Sequence, residues 1–174
     1  MSPMKKIAIL ILLGLFSLAV PGRSEEVRYV IDGDTFILKS NQRVRMIGID
    51  TPEISHGRYG GEDEHFGREA KDYLAALIEK KDVRLEDGDE SFDRYGRRLA
   101  YVYLADGTFV NRKMIEEGYG ETFRQFPFRF KNEFLQLESE ARAAKRGLWA
   151  AEKERSLLDQ IWMLVSGEGS RKHE

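Results

Sequence analysis

The sequence predicts an α+β fold with five strands, enough for a small β-barrel, and three α-helices. Runs of β-branched and aromatic residues come first and are separated by turn compositions. Segments with apolar residues at helical spacing are interleaved with these runs and then follow them. At 174 residues, with 41% hydrophobic and 33% charged side chains, the chain suits one compact domain and is too short for two ordinary ones.

Residues 1–24 have the layout of a secretory signal peptide, with two lysines ahead of an apolar run from Ile7 to Val20. The run is short for a membrane span. Cleavage is expected after Ala19 or Ser24, but no AxA site follows the run, so an uncleaved anchor is the alternative. We therefore expect a secreted or periplasmic protein, with membrane contact only if the segment is uncleaved.

Composition and charge limit the function classes. The absence of cysteine excludes disulfides and cysteine metal sites. Removing residues 1–24 takes away Lys5, Lys6 and Arg23 but no acid, so 25 basic and 30 acidic residues remain, a formal charge of −5. Nucleic-acid binders usually carry a basic footprint. Phosphate binding would therefore need a local basic patch, helped by a metal ion.

The predicted strands fall into two groups. Short turn sequences, DGD and SNQ, separate the first three runs and indicate a meander. Two later runs return to strand character, and the second ends at a hairpin-type turn. The predicted strands are Glu26–Ile31, Thr35–Lys39, Arg43–Ile49, Val83–Glu86 and Arg98–Leu104.

Three segments have apolar residues on one helical face. They are Phe66–Lys80, Phe109–Glu117 and Phe130–Arg146, and glycines follow the second and third as stop signals. The folded domain is predicted to cover residues 25–150. Residues 151–174 form an extension, helical then disordered, whose apolar stretch LLDQIWMLV is expected to lie on the barrel, with a weak partner surface as the alternative.

Carboxylates stand at the ends of the predicted strands. Asp32 and Asp34 flank a glycine in a turn, and Asp50 closes the third strand before Thr51 and a proline. Such oxygens suit a hard cation, calcium or magnesium, whose charge would offset the repulsion among the acids. Ordinary turn chemistry, with aspartate bonding its own backbone, explains each motif equally well when taken alone.

Three further side chains could act on a phosphate. Glu53 follows a proline that presents its carboxylate outside the strand, where it could deprotonate a water. Arg45 points to the strand face opposite its neighbours, and Arg97 begins another strand, so the two could clamp a phosphate. Each alone would ordinarily be a solvated surface residue.

The long loop Ile54–His65 joins a strand to a helix, and loops of this length are usually functional or mobile. The histidines lack the i, i+4 spacing of a zinc pair and are expected to be solvated. They are His56, His65 and His173.

Six motifs occur in order between Val30 and Trp149: VIDGDT, VRMIGIDTPE, FGREA, DRYGRRLAYVY, FVNRKMIEEG and AKRGLW. Together they resemble the staphylococcal nuclease (thermonuclease) family. The resemblance implies a five-stranded OB-type β-barrel with three α-helices. It also implies a calcium-dependent endonuclease that hydrolyses single-stranded DNA and RNA to products with 3′-phosphate ends.

The resemblance also implies the site. Asp34 and Asp50 match the calcium carboxylates, and the main-chain carbonyl of Thr51 matches a third ligand, so Ca²⁺ is the expected cofactor. Asp32 matches a nearby acid that is not a direct ligand. The catalytic positions are matched by Glu53 as the general base and by Arg45 and Arg97 as the phosphate-binding arginines.

Recognition of the nucleoside is less well defined by the sequence. Arg94 and Tyr95 are candidates to touch the substrate. After Gly118 the family's stacking tyrosines have no clean match, and Arg124, Phe126 and Phe128 are the candidate substitutes.

Two other functions compete with a nuclease. One is a non-catalytic OB-fold module that binds nucleic acid, although such a module has no need for the acids, Glu53 and both arginines together. The other is a calcium-stabilised extracellular interaction domain, which leaves Arg45 and Arg97 unexplained. DNA and RNA are the expected partners, with a monomeric state and no stable protein partner.

Overall fold

A computed structural model of the chain describes residues 24–54 and 66–150, together with residues 157–158 and 161–162. Four strands come first along the described chain, and the three helices are interleaved with and follow the remaining strands. The elements are β1 (Ser24–Val30), β2 (Thr35–Leu38), β3 (Arg43–Met46), β4 (Ile49–Asp50), α1 (Gly67–Ile78), β5 (Asp82–Phe92), β6 (Arg98–Leu104), α2 (Val110–Glu116), β7 (Glu121–Thr122) and α3 (Lys131–Ala143).

Five strands close into a barrel in the order β1-β2-β3-β6-β5, so the predicted α+β barrel with three helices is confirmed. Neighbouring strands are antiparallel except β3 and β6, which are parallel and place Arg45 opposite Leu99. This pairing brings Arg45 within two residues of Arg97 across the sheet, although the two are far apart in sequence.

The core follows from the period-two pattern of the strands. Val44 and Met46 are buried on one face of β3, and Phe36 and Leu38 are buried in β2. Arg45 lies between two buried neighbours and so projects from the other face of β3. The chain thereby fills the barrel with apolar side chains and places a guanidinium outside the apolar interior.

The helices pack apolar faces at i, i+3 and i+4 spacing against the barrel, as predicted. In α1 these residues are Ala70, Leu74 and Ile78. In α3 they include Phe134 and Leu137. α2 lies between α3 and the sheet, where it packs on β6.

Three differences from the predicted strands affect the site. The predicted strand Arg43–Ile49 divides, because Gly48 adopts a φ of +83° and turns the chain after Met46. The short β4 that follows pairs with β7, a two-residue strand that no pattern predicted. β5 also continues to Phe92, well beyond the predicted Val83–Glu86.

In the extension, the described apolar residues are exposed, and their expected position on the barrel stays a prediction. Leu157, Leu158, Ile161 and Trp162 are 46–65% exposed on their helical turns. The remaining residues of 151–174, residues 1–23 of the predicted signal segment and all three histidines lie outside the described residues, whereas Ser24 belongs to β1. No helix within the described part of the chain is long and apolar enough to cross a membrane.

Candidate active site

The turn between β1 and β2 brings its acids against the chain that follows β4. The Asp34 amide donates to Asp32 Oδ1 at 3.1 Å, the turn chemistry that the DGD sequence predicts. A Cβ on Gly33 would lie 2.8 Å from Ala70 Cβ and from Thr51 Oγ1. Only glycine therefore lets this turn lie so close to Thr51 and α1.

Asp34 is fully buried, and each of its carboxylate oxygens is hydrogen-bonded. Oδ1 accepts from Thr35 Oγ1 at 2.9 Å, and Oδ2 accepts from Thr51 Oγ1 at 3.2 Å. Arg45 Nη1 forms an ion pair with Oδ1. A buried carboxylate is stable only when it is paired in this way.

Arg45 bridges the two acids that the sequence assigns to a cation. In addition to its ion pair with Asp34, its Nη2 lies 3.4 Å from Asp50 Oδ1 and donates to the Ile49 carbonyl at 3.2 Å. The positive charge required among the acids is supplied here by a guanidinium. Asp50 itself is largely exposed, so its carboxylate has room for another partner.

The pKa of Arg45 reports the surrounding charges. Burial lowers this pKa from its usual value, the charge of Arg97 lowers it further, and Asp32, Asp50 and Glu53 act in the opposite direction. These electrostatic interactions indicate that the predicted catalytic and acidic residues share one site. An arginine guanidinium keeps its charge in proteins, so the site presents a permanent cation.

Glu53 is exposed, and its backbone is in contact with the start of α1. A Cβ on Gly67 would lie 3.0 Å from the Pro52 and Glu53 carbonyl oxygens, so the helix begins in direct contact with this backbone. The side chain of Glu53 is thereby presented on a supported backbone, near the charge of Arg45.

Arg97 is held by Asp93, a residue that the sequence analysis did not select. Asp93 Oδ2 accepts from Arg97 Nε at 2.7 Å, while Oδ1 accepts from the amides of Tyr95 and Arg97 at 2.9 and 3.0 Å. Burial acts to raise the pKa of Asp93, but these hydrogen bonds outweigh it and the pKa is lowered. The i, i+4 spacing of an acid and an arginine around a glycine was the signal available in the sequence.

Arg94 and Tyr95 stand at the outer edge of the same turn. Tyr95 is 66% exposed, and its hydroxyl accepts from Arg94 Nη2 at 2.7 Å. The Arg94 and Arg97 guanidinium carbons lie 4.8 and 5.5 Å from the centre of its ring. An exposed ring beside two cations is suited to contact a nucleoside next to a phosphate.

A groove of about 850 Å³ runs from the two arginines to the segment after β7. Phe126 lines it and is 64% exposed, so among the candidate stacking residues it is the most accessible. Phe128 also lines the groove, but its ring packs on Phe134 at 5.5 Å and lies over Gly48. Arg124 is turned away from the groove toward α3, where it pairs with Glu138.

The donor chemistry of the site fits a hard cation. Asp34, Asp50 and the backbone of Thr51 offer only oxygen atoms, the ligands that calcium prefers. Within the described residues no group of three or more acidic or histidine side chains is gathered in metal-binding geometry. Arg45 lies between the two acids instead.

Comparison with known proteins gives consistent matches. The family model described as staphylococcal nuclease homologue matches residues 43–151, which excludes the Asp32–Asp34 turn. The chain is 35% identical over 125 residues to the thermonuclease of Staphylococcus hyicus, covering 70% of this chain and 72% of that protein. It is 36% identical over 135 residues to the thermonuclease of Staphylococcus intermedius, covering 75% and 78%.

A further match is much longer than this chain. Endonuclease YhcR of Bacillus subtilis is 33% identical over 131 residues, which is 69% of this chain but only 11% of that protein.

Proposed function

Because this chain belongs to the staphylococcal nuclease family, we propose that it is a calcium-dependent nuclease that cleaves single-stranded DNA and RNA. One observation carries the proposal: a partly buried arginine, Arg45, bridges Asp34 and Asp50 at a groove where it also interacts with the charge of Arg97. Acids gathered around an arginine at the edge of such a groove are the groups that phosphodiester hydrolysis requires.

In this mechanism Asp34, Asp50 and the Thr51 carbonyl would hold Ca²⁺, which supplies positive charge that polarises the scissile phosphate. Arg45 and Arg97 would donate hydrogen bonds to the phosphate oxygens and stabilise the charge that develops at phosphorus. For Arg45 this requires that the cation take the place of the guanidinium between Asp34 and Asp50. Both arginines lie at the groove, and Arg97 has no described partner at its terminal Nη atoms.

Glu53 accepts a proton from the attacking water. The bond between the water oxygen and phosphorus forms as the bond from phosphorus to the 5′-oxygen breaks, and the departing oxygen takes a proton from solvent. The phosphate stays on the 3′ side, so the products end in 3′-phosphates. Tyr95, with Arg94 beside it, contacts the neighbouring nucleoside.

The direct test is incubation of purified protein lacking residues 1–24 with denatured DNA and with RNA, in calcium, in magnesium and in EDTA. We expect cleavage in calcium, loss of cleavage in EDTA, and 3′-phosphates at the new ends. Binding of oligonucleotides without cleavage in any metal would favour a non-catalytic binding module on the same barrel. A calcium-induced rise in melting temperature without nucleotide binding would favour an interaction domain.

Two variants test the assigned roles. Glu53→Gln should lower kcat by about 10²- to 10⁴-fold, the usual contribution of a general base. Arg97→Ala should lower kcat by about 10²- to 10³-fold, the effect of losing one charged donor. Arg112→Ala is the matched control, because this arginine lies on α2 and pairs with Glu133. Undiminished cleavage by Glu53→Gln would exclude Glu53 as the base.

We also propose that residues 1–24 direct export and that the released protein is a monomer. The support is the layout of the N-terminal segment, two lysines and then an apolar run. Mass spectrometry of the protein expressed with its full N-terminus should show a start at Val20 or Glu25, and light scattering should give the monomer mass. A protein that begins at Met1 and is found in the membrane fraction would favour an uncleaved membrane anchor.

A further inference from the structure

α3 contains a buried carboxylate that the proposed mechanism does not use. Glu138 is 2% exposed, because it lies four residues after Phe134 and three before Ala141 on the buried face of α3, where a glutamate is seldom found. It accepts from the Thr122 amide at 2.9 Å, from Arg124 Nη2 at 2.8 and 3.0 Å, and from Arg142 Nε at 3.0 Å. Burying a charge is costly unless it is paired and hydrogen-bonded, and this one is fully engaged.

The first consequence of this network concerns β4. Thr122 belongs to β7, which pairs with β4 so that Ile49 lies opposite Thr122 and Asp50 lies opposite Glu121. The Phe123 amide adds a hydrogen bond to the Gly48 carbonyl at 3.0 Å. Glu138 therefore fixes the strand on which the Asp50 backbone depends.

Asp50 has few other restraints. Its side chain is 57% exposed, and its only ion-pair partner in the described chain is Arg45, at 3.4 Å. Backbone pairing between two-residue strands is weak by itself. The position of the Asp50 carboxylate therefore depends on what holds β7.

The second consequence concerns the groove wall. Arg124 turns its guanidinium to Glu138, and its carbonyl accepts from Lys131 Nζ at 2.7 Å. Its neighbours Phe123 and Gln125 line the groove, and Phe126 follows them. Arg124 lies on the α3 side while Phe123 and Gln125, directly before and after it, lie on the groove side, so its ion pair with Glu138 holds this segment between α3 and the groove.

We propose that Glu138 and Arg124 are positioning residues of the nuclease site: from α3 the pair holds β7 and residues 123–126, and thereby places Asp50 and the groove wall. This rests on the proposed nuclease function. Arg142 supports the pair from the next helical turn. Burial acts to raise the pKa of Glu138, but hydrogen bonds from Arg124, Thr122 and Arg142 outweigh it and the pKa is lowered, so the carboxylate is ionised at neutral pH.

The test compares Arg124→Met and Glu138→Gln with two controls. Glu133→Gln removes another ion pair of α3, with Arg112 at 3.3 Å, that does not touch β7. Val27→Ala opens the core in β1 and serves as a control for stability loss alone. For each protein, kcat and KM are measured on a single-stranded oligonucleotide, and hydrogen exchange of backbone amides is measured by NMR.

Arg124→Met should raise KM about tenfold with little change in kcat, because the groove wall loosens while Glu138 keeps its other donors; outer partners of site residues have effects of this order. Arg124→Lys should raise KM less than Arg124→Met does, because lysine keeps a positive charge beside Glu138. Glu138→Gln should also lower kcat about tenfold, because Asp50 shifts. It should speed amide exchange in β4 and β7 more than in β1, whereas Val27→Ala should speed exchange most in β1.

If both variants match the two controls in kcat, KM and exchange of β4 and β7, the proposal is overturned. If the unmodified protein cleaves no substrate, the proposed function fails, yet exchange at Asp50 and Thr122 still tests the positioning. Unchanged exchange there in Glu138→Gln would overturn the proposal independently of catalysis.

Discussion

Gly33 shows how one residue sets the spacing of the site. Its missing Cβ lets the Asp34 turn lie against Thr51 and Ala70. Gly33→Ala should destabilise the protein by about 1–3 kcal/mol, as overpacking does. It should also lower kcat/KM, because the Asp34 carboxylate moves from Thr51. Urea unfolding and oligonucleotide cleavage measure the two effects.

The control for this substitution is Gly107→Ala. An added Cβ there meets open space, although the φ of +88° strains any other residue. We expect a loss of stability without a change in kcat/KM. Equal losses of kcat/KM in both variants would contradict a specific role for the close approach of Gly33.

Asp93 provides a pH-dependent prediction. Its pKa is lowered from 3.8 in the folded protein, so its contribution to stability is present above 3.8 and is lost as the pH falls through the folded-state value. Asp93→Asn should therefore cost about 1 kcal/mol at pH 7, the scale of a partly exposed ion pair with backbone hydrogen bonds.

Thermal unfolding across the pH range measures this cost. The difference in melting temperature between Asp93→Asn and the unmodified protein should become smaller as the pH falls. A difference independent of pH would show that the ion pair with Arg97 is not its cause.

At the residue scale, the sequence indicated the charged residues of the candidate site better than it indicated the residues that hold them in place. Strand ends and turn motifs indicated Asp34, Asp50 and Arg45, because charged residues beside apolar runs are visible in a pattern. Glu138 was not predicted, because a glutamate is seldom fully buried, even at a position that falls on the apolar face of its helix. Arg124 was considered for base stacking because no pattern shows that its partner is a buried carboxylate across the fold.

At the scale of elements, Asn111 docks α2 onto the barrel. Its side chain donates to the Ile47 and Ala100 carbonyls at 2.9 and 3.3 Å and accepts from the Val102 amide at 2.8 Å. Asn111→Ala leaves buried backbone groups without partners, so it should lower the free energy of unfolding by about 2–4 kcal/mol.

Urea denaturation measures this loss, with Asn132→Ala on exposed α3 surface as the control. A loss no larger than that of the control would show that solvent or a shift of the backbone replaces the hydrogen bonds of Asn111.

Long elements were predictable and short ones were not. α1 and α3 carry enough turns for the helical period to be read, and Arg98–Leu104 carries enough residues for a strand pattern. β4 and β7 have only two residues each, and their pairing comes from the tertiary contacts of α3. β5 was predicted too short because Asp87–Asp89 has the composition of a turn; the pairing with β6 is irregular after Asp87 and resumes at Phe92, opposite Arg98.

At the scale of the whole molecule, negative charge borders the groove. Asp89 and Glu90 are exposed on β5, and neither has an ion-pair partner among the described residues. The double variant Asp89→Asn/Glu90→Gln should lower KM for long single-stranded DNA about threefold at low salt, because two repulsive charges are removed.

Titration with sodium chloride measures this effect, which should disappear as screening increases. The charge-matched control is Glu133→Gln/Glu140→Gln on α3. If the control lowers KM equally, net charge and not the groove edge is responsible.

The parallel pairing of β3 with β6 has a consequence for the life of the protein in its producing cell. Arg45 and Arg97 come together only when strands distant in sequence have met, and such topologies fold slowly. An unfolded chain does not bring the two arginines together, so under the proposed function it would leave the nucleic acid around it intact. Cleavage activity and native fluorescence should therefore return together on refolding, with no active intermediate.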